Sequence, residues 1–409
     1  MSDQYKKEII DPGDRASQLA REICYDSHKN NPAVIVIPHQ PGNFRGPVGY
    51  TWNKSILTRM TMNYPPNWEM LEEIENDGAG GKPQFFTFLG THEAFWNLGW
   101  EIITMTADDF ARSGRFPAIM VNDLNTKSIT DENFPLVEAC LQGYGEALEH
   151  AHLVNLTGEI AIMKHSITAF CDDGTNDQFI LTWGGSCTGL AYRDFLIDGS
   201  AIKAEMPIVG LYENGYRCNG GTFFTKLLLQ KYGPDIRSIR RSQEAMDLVK
   251  QLTIPSLSYA RLICRLVGWN DDGTPETPLA NIAGISHITG GGVWGKFGEI
   301  LPEGIGAFLD NMPKPPEVLL KAQELSWDLG NLRLTDLQAY STLHGGCGML
   351  LVCPTKKDAD KVIAEASGDG IQAQIVGMTY LQKNERDGEK LLIKSRFKEG
   401  KTLRSSELE

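Results

Sequence analysis

The run Gly284-Ile285-Ser286-His287-Ile288-Thr289-Gly290-Gly291-Gly292, followed by Leu301-Pro302-Glu303-Gly304, concentrates the chemistry of this chain. A short β-branched stretch ends in an imidazole, a hydroxyl and three glycines. Glycine triplets cost entropy inside helices and strands. They suit a place where bare backbone approaches a ligand, such as phosphate held by N–H groups, and they also suit a plain tight turn. Asp108-Asp109 is a second candidate, since adjacent carboxylates can hold a magnesium ion against phosphate oxygens or form a solvated acidic pair. Thr157-Gly158-Glu159 places one carboxylate at a strand-to-loop junction. In Asn214-Gly215-Tyr216-Arg217-Cys218-Asn219-Gly220-Gly221, Arg217 could grip a phosphate through two N–H groups. Asn219 equally reads as a helix N-cap, and Cys218 as a packed thiol.

These groups need elements to hold them. A helix is expected after an Asp11-Pro12-Gly13-Asp14 turn, capped by Asp14, and a strand over residues 33–37. Residues 38–50 are loop chemistry, and Gly42 to Gly49 is glycine-rich without P-loop spacing. An acidic helix-like piece at Trp68–Asp77 gives way to Gly78-Ala79-Gly80-Gly81, a surface connection. Phe85–Leu89 reads as a strand entering Gly90-Thr91-His92-Glu93. A helix ends at Gly114, a strand follows at Pro117–Val121, and Asp131–His152 is a long amphipathic helix. Strands near His152–Asn155 and Phe179–Trp183 close a first block. A second begins at Pro207–Leu211 and ends in a hairpin, Ile375–Leu381 with Lys390–Lys394, around Arg386-Asp387-Gly388. Alternating strands and helices make the class α/β (α+β). The divisions are residues 1–203, 204–382 and a tail, 383–409.

Composition narrows the function. A net charge of -13 argues against nucleic acid, which needs a basic footprint. The eight cysteines contain no C-x-x-C pair, so buried thiols in a reducing cytoplasm are expected. No apolar run reaches membrane-spanning length, and no signal peptide pattern opens the chain.

Taken in order, the motifs resemble aminoimidazole ribonucleotide synthetase, the phosphoribosylformylglycinamidine cyclo-ligase of purine biosynthesis. Tyr5-Lys6 with Ile10-Asp11-Pro12-Gly13-Asp14-Arg15-Ala16 is similar to that family's Y-K-x-A-G-V-D-I-x-A-G-D-R opening. Asp194-Phe195-Leu196-Ile197-Asp198-Gly199-Ser200-Ala201-Ile202-Lys203 resembles R-D-K-I-I-D-G-S-K-I-K. The stretch Ile285–Gly292 with Leu301–Gly304 resembles G-I-A-H-I-T-G-G-G…L-P-E-G. His344-Gly345-Gly346-Cys347-Gly348-Met349 stands where the family has N-M-G-I-G-M.

The resemblance implies a two-domain synthetase fold whose strands form a barrel across a homodimer. It implies ATP and Mg²⁺, a small phosphorylated substrate and a cytoplasmic enzyme. The ATP signature D-G-V-G-T-K is matched to Thr87-Phe88-Leu89-Gly90-Thr91-His92, with Thr87 for aspartate and His92 for lysine. Asp108-Asp109 is matched to V-N-D-L, Thr157–Met163 to G-G-E-T-A-E-M with Ile162 for the second glutamate, and Asn214–Gly221 to S-G-L-H-S-N-G-Y with Arg217 for histidine. The implied roles follow. Gly90, Thr91, His92, Asp108 and Asp109 bind ATP, Asp109 and Glu159 hold metal, and Glu159 and His287 are catalytic. Arg217, Asn219, Thr289, Gly290, Gly291 and Gly292 bind substrate. Two other readings stay open. One is a sister ATP-dependent activity, such as a selenophosphate synthetase, thiamine-phosphate kinase or hydrogenase-maturation dehydratase. The other is a non-catalytic relative, supported by the changes at Thr87, His92, Ile162 and Arg217.

Overall fold

The computed structural model describes residues 11–38, 47, 49–55, 70–193, 196–382 and 388–408. The expectations for Tyr5–Ile10, for most of Gly42–Gly49, for Asp194-Phe195 and for Arg386-Asp387 lie outside them.

The chain first builds a short antiparallel pair, β1 (Val34–Ile37) and β2 (Gly49–Trp52). Next comes a four-stranded sheet of β3 (Met70–Gly78), β4 (Phe116–Thr126), β5 (Val154–Ile162) and β6 (Leu181–Tyr192), in the order β3-β6-β4-β5. The β4–β5 pair is parallel, and the helix Phe134–His150 makes the crossover that parallel neighbours require. The other two pairs are antiparallel. The acidic piece expected to be helical is strand β3: it pairs with β6 from Met70 to Gly78, and that tertiary pairing prevails over the helix propensity of its glutamates. The reverse holds at Phe85–Leu89, expected as a strand but part of the helix Pro83–Leu89. It is a helical turn with proline at its start and a left-handed Gly90 closing it.

Helices His92–Ala111 and Phe134–His150 cover one face of this sheet. They approach closely because Gly99 and Gly143 face each other; a Cβ on Gly143 would sit 2.0 Å from the Trp96 carbonyl oxygen. The helix Pro12–Ser27 packs on Phe134–His150 and on β5, and its N-cap is Asp11, not Asp14, because Asp11 Oδ1 accepts from Gly13 N–H. The opposite face presents Ile74, Asp123, Glu159 and Thr182, all exposed.

The second sheet has seven strands. They are β7 (Pro207–Tyr212), β8 (Gly284–His287), β9 (Ile305–Leu309), β10 (Cys347–Val352), β11 (Ala373–Leu381), β12 (Leu391–Lys394) and β13 (Thr402–Arg404), ordered β13-β12-β9-β11-β7-β10-β8. The expected β11–β12 hairpin is absent. Strand β9 lies between the two, antiparallel to β11 and parallel to β12. Strand β10 is buried at every position. One apolar core joins the first sheet's helices to Val209, Leu211, Ile285, Met349 and Leu351, so the sheets share a dry interface. The eight cysteines are free and buried. Among the described residues, no helix is long and apolar enough to cross a membrane.

Candidate active site

Three glycine-rich loops meet where the two sheets adjoin. The first leaves β3 as Asp77-Gly78-Ala79-Gly80-Gly81-Lys82. The second follows β7 and enters the helix Gly221–Tyr232. The third follows β8 and enters the helix Gly292–Ile300. The lack of side chains lets them touch: a Cβ on Gly80 would stand 3.0 Å from the Cys218 carbonyl oxygen, and one on Gly81 would stand 3.6 Å from Gly221 Cα. Asn219 Oδ1 lies 3.4 Å from where a Gly290 Cβ would be. Both helices begin at a left-handed glycine, Gly220 and Gly291, and neither N-terminus receives a side-chain cap. Their first N–H groups and positive dipole ends therefore point into one exposed corner. Asn219 Nδ2 is buried there without a partner. An orphan amide beside two uncapped helix starts is the chemistry of an anion site. The helix N-cap is thus Gly220, which leaves the Asn219 side chain free of a capping role.

Beneath the loops lies a buried ionic cluster centred on Arg217. Its Nη1 donates to Glu213 Oε2 (2.6 Å) and the Leu257 carbonyl (3.0 Å); Nη2 donates to Asp108 Oδ2 (2.8 Å). Nη2 also lies 2.5 Å from His287 Nε2. A guanidinium can only donate, so His287 Nε2 is the acceptor and its proton sits on Nδ1. Nδ1–H then donates to Asp109 Oδ1 at 3.1 Å. Burial, then the Arg217 charge, lowers His287 to about 4, so the ring is neutral. Burial pushes Asp108 up to about 6, against the pull of Arg217 and of two backbone N–H donors from Tyr259 and Ala260. Glu213 is equally buried, but Arg217 and His344 leave it below the usual carboxylate range. One cation therefore faces two carboxylates, one from each sheet's half of the chain. Arg217 holds a left-handed backbone, φ 60°, which a non-glycine residue adopts only under constraint.

A second buried pair stands beside it. Lys82 Nζ reaches Glu101 Oε1 (2.7 Å), the Ile254 carbonyl (3.0 Å) and Ser256 Oγ (3.2 Å). The Cys218 thiol donates to Glu101 Oε2, and burial raises it well above its ordinary range, so it is a packed thiol.

The expected site residues therefore separate into groups. Asn219, Thr289, Gly290, Gly291 and Gly292 form the loops, and Asp109 adjoins them through His287. Arg217 lies below, fully buried with both terminal nitrogens taken by protein groups and only Nε without a partner, so it braces the substrate loops and is not itself a phosphate ligand. Asp108 is fully buried with both oxygens occupied, which removes it as a nucleotide or metal ligand. His287 has both nitrogens engaged; it orients Asp109 and is not free to exchange protons. Gly90, Thr91 and His92 are elsewhere. His92 and Asp109 stand at opposite ends of one helix, 17 positions apart, or about 25 Å at 1.5 Å per residue. Thr91 caps that helix, His92 stacks on Trp96, and Thr87 Oγ1 donates to the Phe179 carbonyl. Nor can Asp109 and Glu159 share a metal. Glu159 is on the exposed face of edge strand β5, whereas Asp109 lies on the helix side beyond the opposite edge. Three strand spacings, about 14 Å, separate those edges.

Two pieces of the site were missed in the sequence although their letters are present. Asp77-Gly78-Ala79-Gly80-Gly81-Lys82 has the D-G-x-G-x-K spacing of the ATP signature, and Val121-Asn122-Asp123-Leu124 is V-N-D-L itself. Reading β3 as a helix displaced the first match by ten residues. Asp77 faces Asp109, Arg217 and Lys296; burial raises its carboxyl first, and Asp109 adds to that. On the other face Asp123 is in register with Glu159 on the parallel neighbour, so two exposed carboxylates stand side by side.

The comparisons agree with the intact motifs. Residues 274–386 match the family described as AIR synthase related protein, C-terminal domain. A phosphoribosylformylglycinamidine cyclo-ligase of Geotalea uraniireducens (strain Rf4) is 26% identical over 302 residues, covering 74% of this chain and 77% of the relative. Over residues 274–386 the chain is similar to the AIR synthase-related family. Its fold is shared with thiamine-monophosphate kinase from Stenotrophomonas maltophilia K279a, at TM-score 0.54 and 11% identity, covering 94% of this chain and 96% of that one. It is also shared with the hydrogenase maturation protein HypE solved in complex with ATP, at TM-score 0.50 and 15% identity, covering 85% and 88%. The described residues gather no group of three or more His, Cys, Asp or Glu around one point. A magnesium ion keeps several waters and takes one or two carboxylates, so both Asp77–Asp109 and Asp123–Glu159 fit its needs.

Proposed function

We propose that the chain closes formylglycinamidine ribonucleotide to aminoimidazole ribonucleotide in purine biosynthesis, converting ATP to ADP and phosphate. The observation that carries this reading is the corner of three glycine loops, where two uncapped helix starts and the orphan Asn219 amide converge beside Asp77 and Asp109. The corner would hold the substrate's phosphate through backbone N–H groups. The substrate amide oxygen would then accept the γ-phosphoryl group from ATP. The substrate's own nitrogen attacks the activated carbon, and phosphate leaves as the ring closes. Positioning and charge stabilisation supply most of the rate in such transfers. His287 and Arg217 would fix Asp109 so that one carboxylate oxygen stays aimed at the reacting groups. Mg²⁺, held by Asp77 and Asp109 or by Asp123 and Glu159, would neutralise phosphate charge. The exposed outer face of β3-β6-β4-β5 would pair with a second copy, closing a barrel across a homodimer and enclosing the Asp123–Glu159 face.

Support also comes from the restored D-G-x-G-x-K and V-N-D-L texts, which remove two of the four departures behind a non-catalytic reading. Ile162 and Arg217 remain as departures. Arg217 is the observation that favours a second reading, a sister ATP-dependent phosphoryl transfer on the same fold. The deciding assay is ADP release with purified protein, Mg²⁺ATP and formylglycinamidine ribonucleotide. Substrate-dependent ADP and ring product are expected. ATP turnover only with another phosphoryl acceptor would transfer the function to the second reading, and the absence of any ATP binding would overturn both.

A further inference from the structure

A groove unrelated to the glycine loops runs between the helices His92–Ala111 and Ala260–Val267 and encloses about 580 Å³. That volume suits a small-molecule site. Its walls include Trp96, Trp100, His150, Ser258, Arg261 and Arg265. The Trp100 and His150 rings lie 5.2 Å apart between centroids, and His92 stacks on the outer side of the Trp96 system at 6.4 Å, so one wall is an aromatic shelf. Burial, then the charge of Arg261, lowers the pKa of His150, which keeps the shelf uncharged on its imidazole side.

The opposite wall is rich in donors. Arg261 spends its terminal nitrogens on the His150 carbonyl and Asp271, but its Nε is buried with no partner. Arg265 is held at 2.6 Å by Asp369, half-exposed and reachable. The side chains of Asn97 and Ser258 have no hydrogen-bond partner among the described residues. Each guanidinium has one carboxylate partner, Arg261 with Asp271 and Arg265 with Asp369, so an anion would be held by the donors left over, Arg261 Nε, Asn97 and Ser258 among them.

The wall between is already rigid. Glu101 takes the Ser256 N–H and hydroxyl, Glu213 takes the Leu257 N–H, and Asp108 takes the Tyr259 and Ala260 N–H groups. A ligand would therefore meet a preformed surface and spend little on ordering it.

We propose that this groove is a second ligand site, for a planar heteroaromatic ring that carries an anionic group and is of nucleoside monophosphate size. The ring stacks on the Trp96–Trp100 shelf, and the anion lies against Arg265 and Arg261. Aromatic platforms accept any base face, and guanidiniums match phosphate geometry.

The test is calorimetric titration of the full chain with adenosine monophosphate, adenosine and inorganic phosphate, each on the wild type, Trp96→Ala, Trp96→Phe and Arg265→Gln. Melting temperature monitors the fold of each variant. Adenosine monophosphate is expected to bind the wild type, and Arg265→Gln to weaken it about tenfold while leaving adenosine unchanged. Trp96→Ala should weaken both about tenfold, and Trp96→Phe should restore most of the loss. Unchanged affinity in Trp96→Ala and Arg265→Gln would place the binding in the glycine-loop corner and overturn the proposal. Phosphate binding as tightly as the nucleotide would overturn it as a bare anion site, and so would no binding at millimolar nucleotide.

Discussion

The two ends of the helix His92–Ala111 were both expected to bind ATP, and their circumstances are opposite. At its start, Gly90, Thr91 and His92 are exposed, and their work is local: a left-handed stop, an N-cap and a ring stack. At its end, Asp108 and Asp109 meet residues more than 100 positions away, Arg217 and His287, in an almost dry cluster. A glycine, a threonine and a histidine can look like a phosphate loop in sequence, and two aspartates like a metal site. What separates them is the second sheet, which reaches one end of the helix and brings charge with it. Neighbouring aspartates likewise divide: Asp108 turns inward as a structural anchor, and Asp109 turns to the cleft.

The contrast breaks most visibly at Arg217. In Arg217→Met, Glu213 and Asp108 would face each other without a cation, a loss of about 3–5 kcal/mol of stability. Urea unfolding measures it, and an unchanged midpoint would mean the cluster does not join the two sheets.

Asp109→Asn should reduce turnover about 100-fold or more while the melting temperature stays near that of the wild type, since this carboxylate faces the cleft. Turnover within threefold of wild type would return Asp109 to a merely structural place.

Acidification gives the next largest effect. His287 and His344 fall to about 4 from 6.5, so the folded chain resists protonation that the unfolded chain accepts. Their contribution is complete above pH 6.5 and is lost as pH falls towards 4. Asp108, raised to about 6 from 3.8, works oppositely, because the folded chain takes that proton first. Two groups against one leave a net loss of about 2 kcal/mol between pH 7 and pH 5. Denaturant titrations at the two pH values that gave equal stability would refute the neutral, donor-fixed His287.

The smallest effect belongs to the other end of the helix. His92→Ala should change stability by less than about 0.5 kcal/mol and leave the KM for ATP unchanged. A tenfold rise in that KM would restore Gly90–His92 to the nucleotide site.

Much of this was legible in the letters. The glycine triplet after β8, the Asn219-Gly220 turn and the long helix Phe134–His150 follow from residue type and period alone. The errors cluster where two signals compete. Met70–Gly78 holds residues with helix propensity in a strand fixed by its pairing with β6, and once it is taken as a helix the true D-G-x-G-x-K loop looks like a surface connection. At Phe85–Leu89 an aromatic run suggests a strand, while Pro83 and Gly90 start and stop a helix. The β11–β12 hairpin was inferred from an adjacent turn, but β9 competes for both edges and wins them.

The sequence by itself determined which backbone segments could approach an anion, because only glycine tolerates the contacts and left-handed angles found at Gly80, Gly220 and Gly291. It also determined the composition that excludes a nucleic-acid footprint. The tertiary structure alone decided which polar residues are ligand-facing. Arg217 and Asp108 read as phosphate or metal ligands in one dimension, and both are spent inside the interface between the sheets. The reason is physical: a side chain's charge is chemistry only if no buried partner already holds it, and partners distant in sequence are assigned by packing.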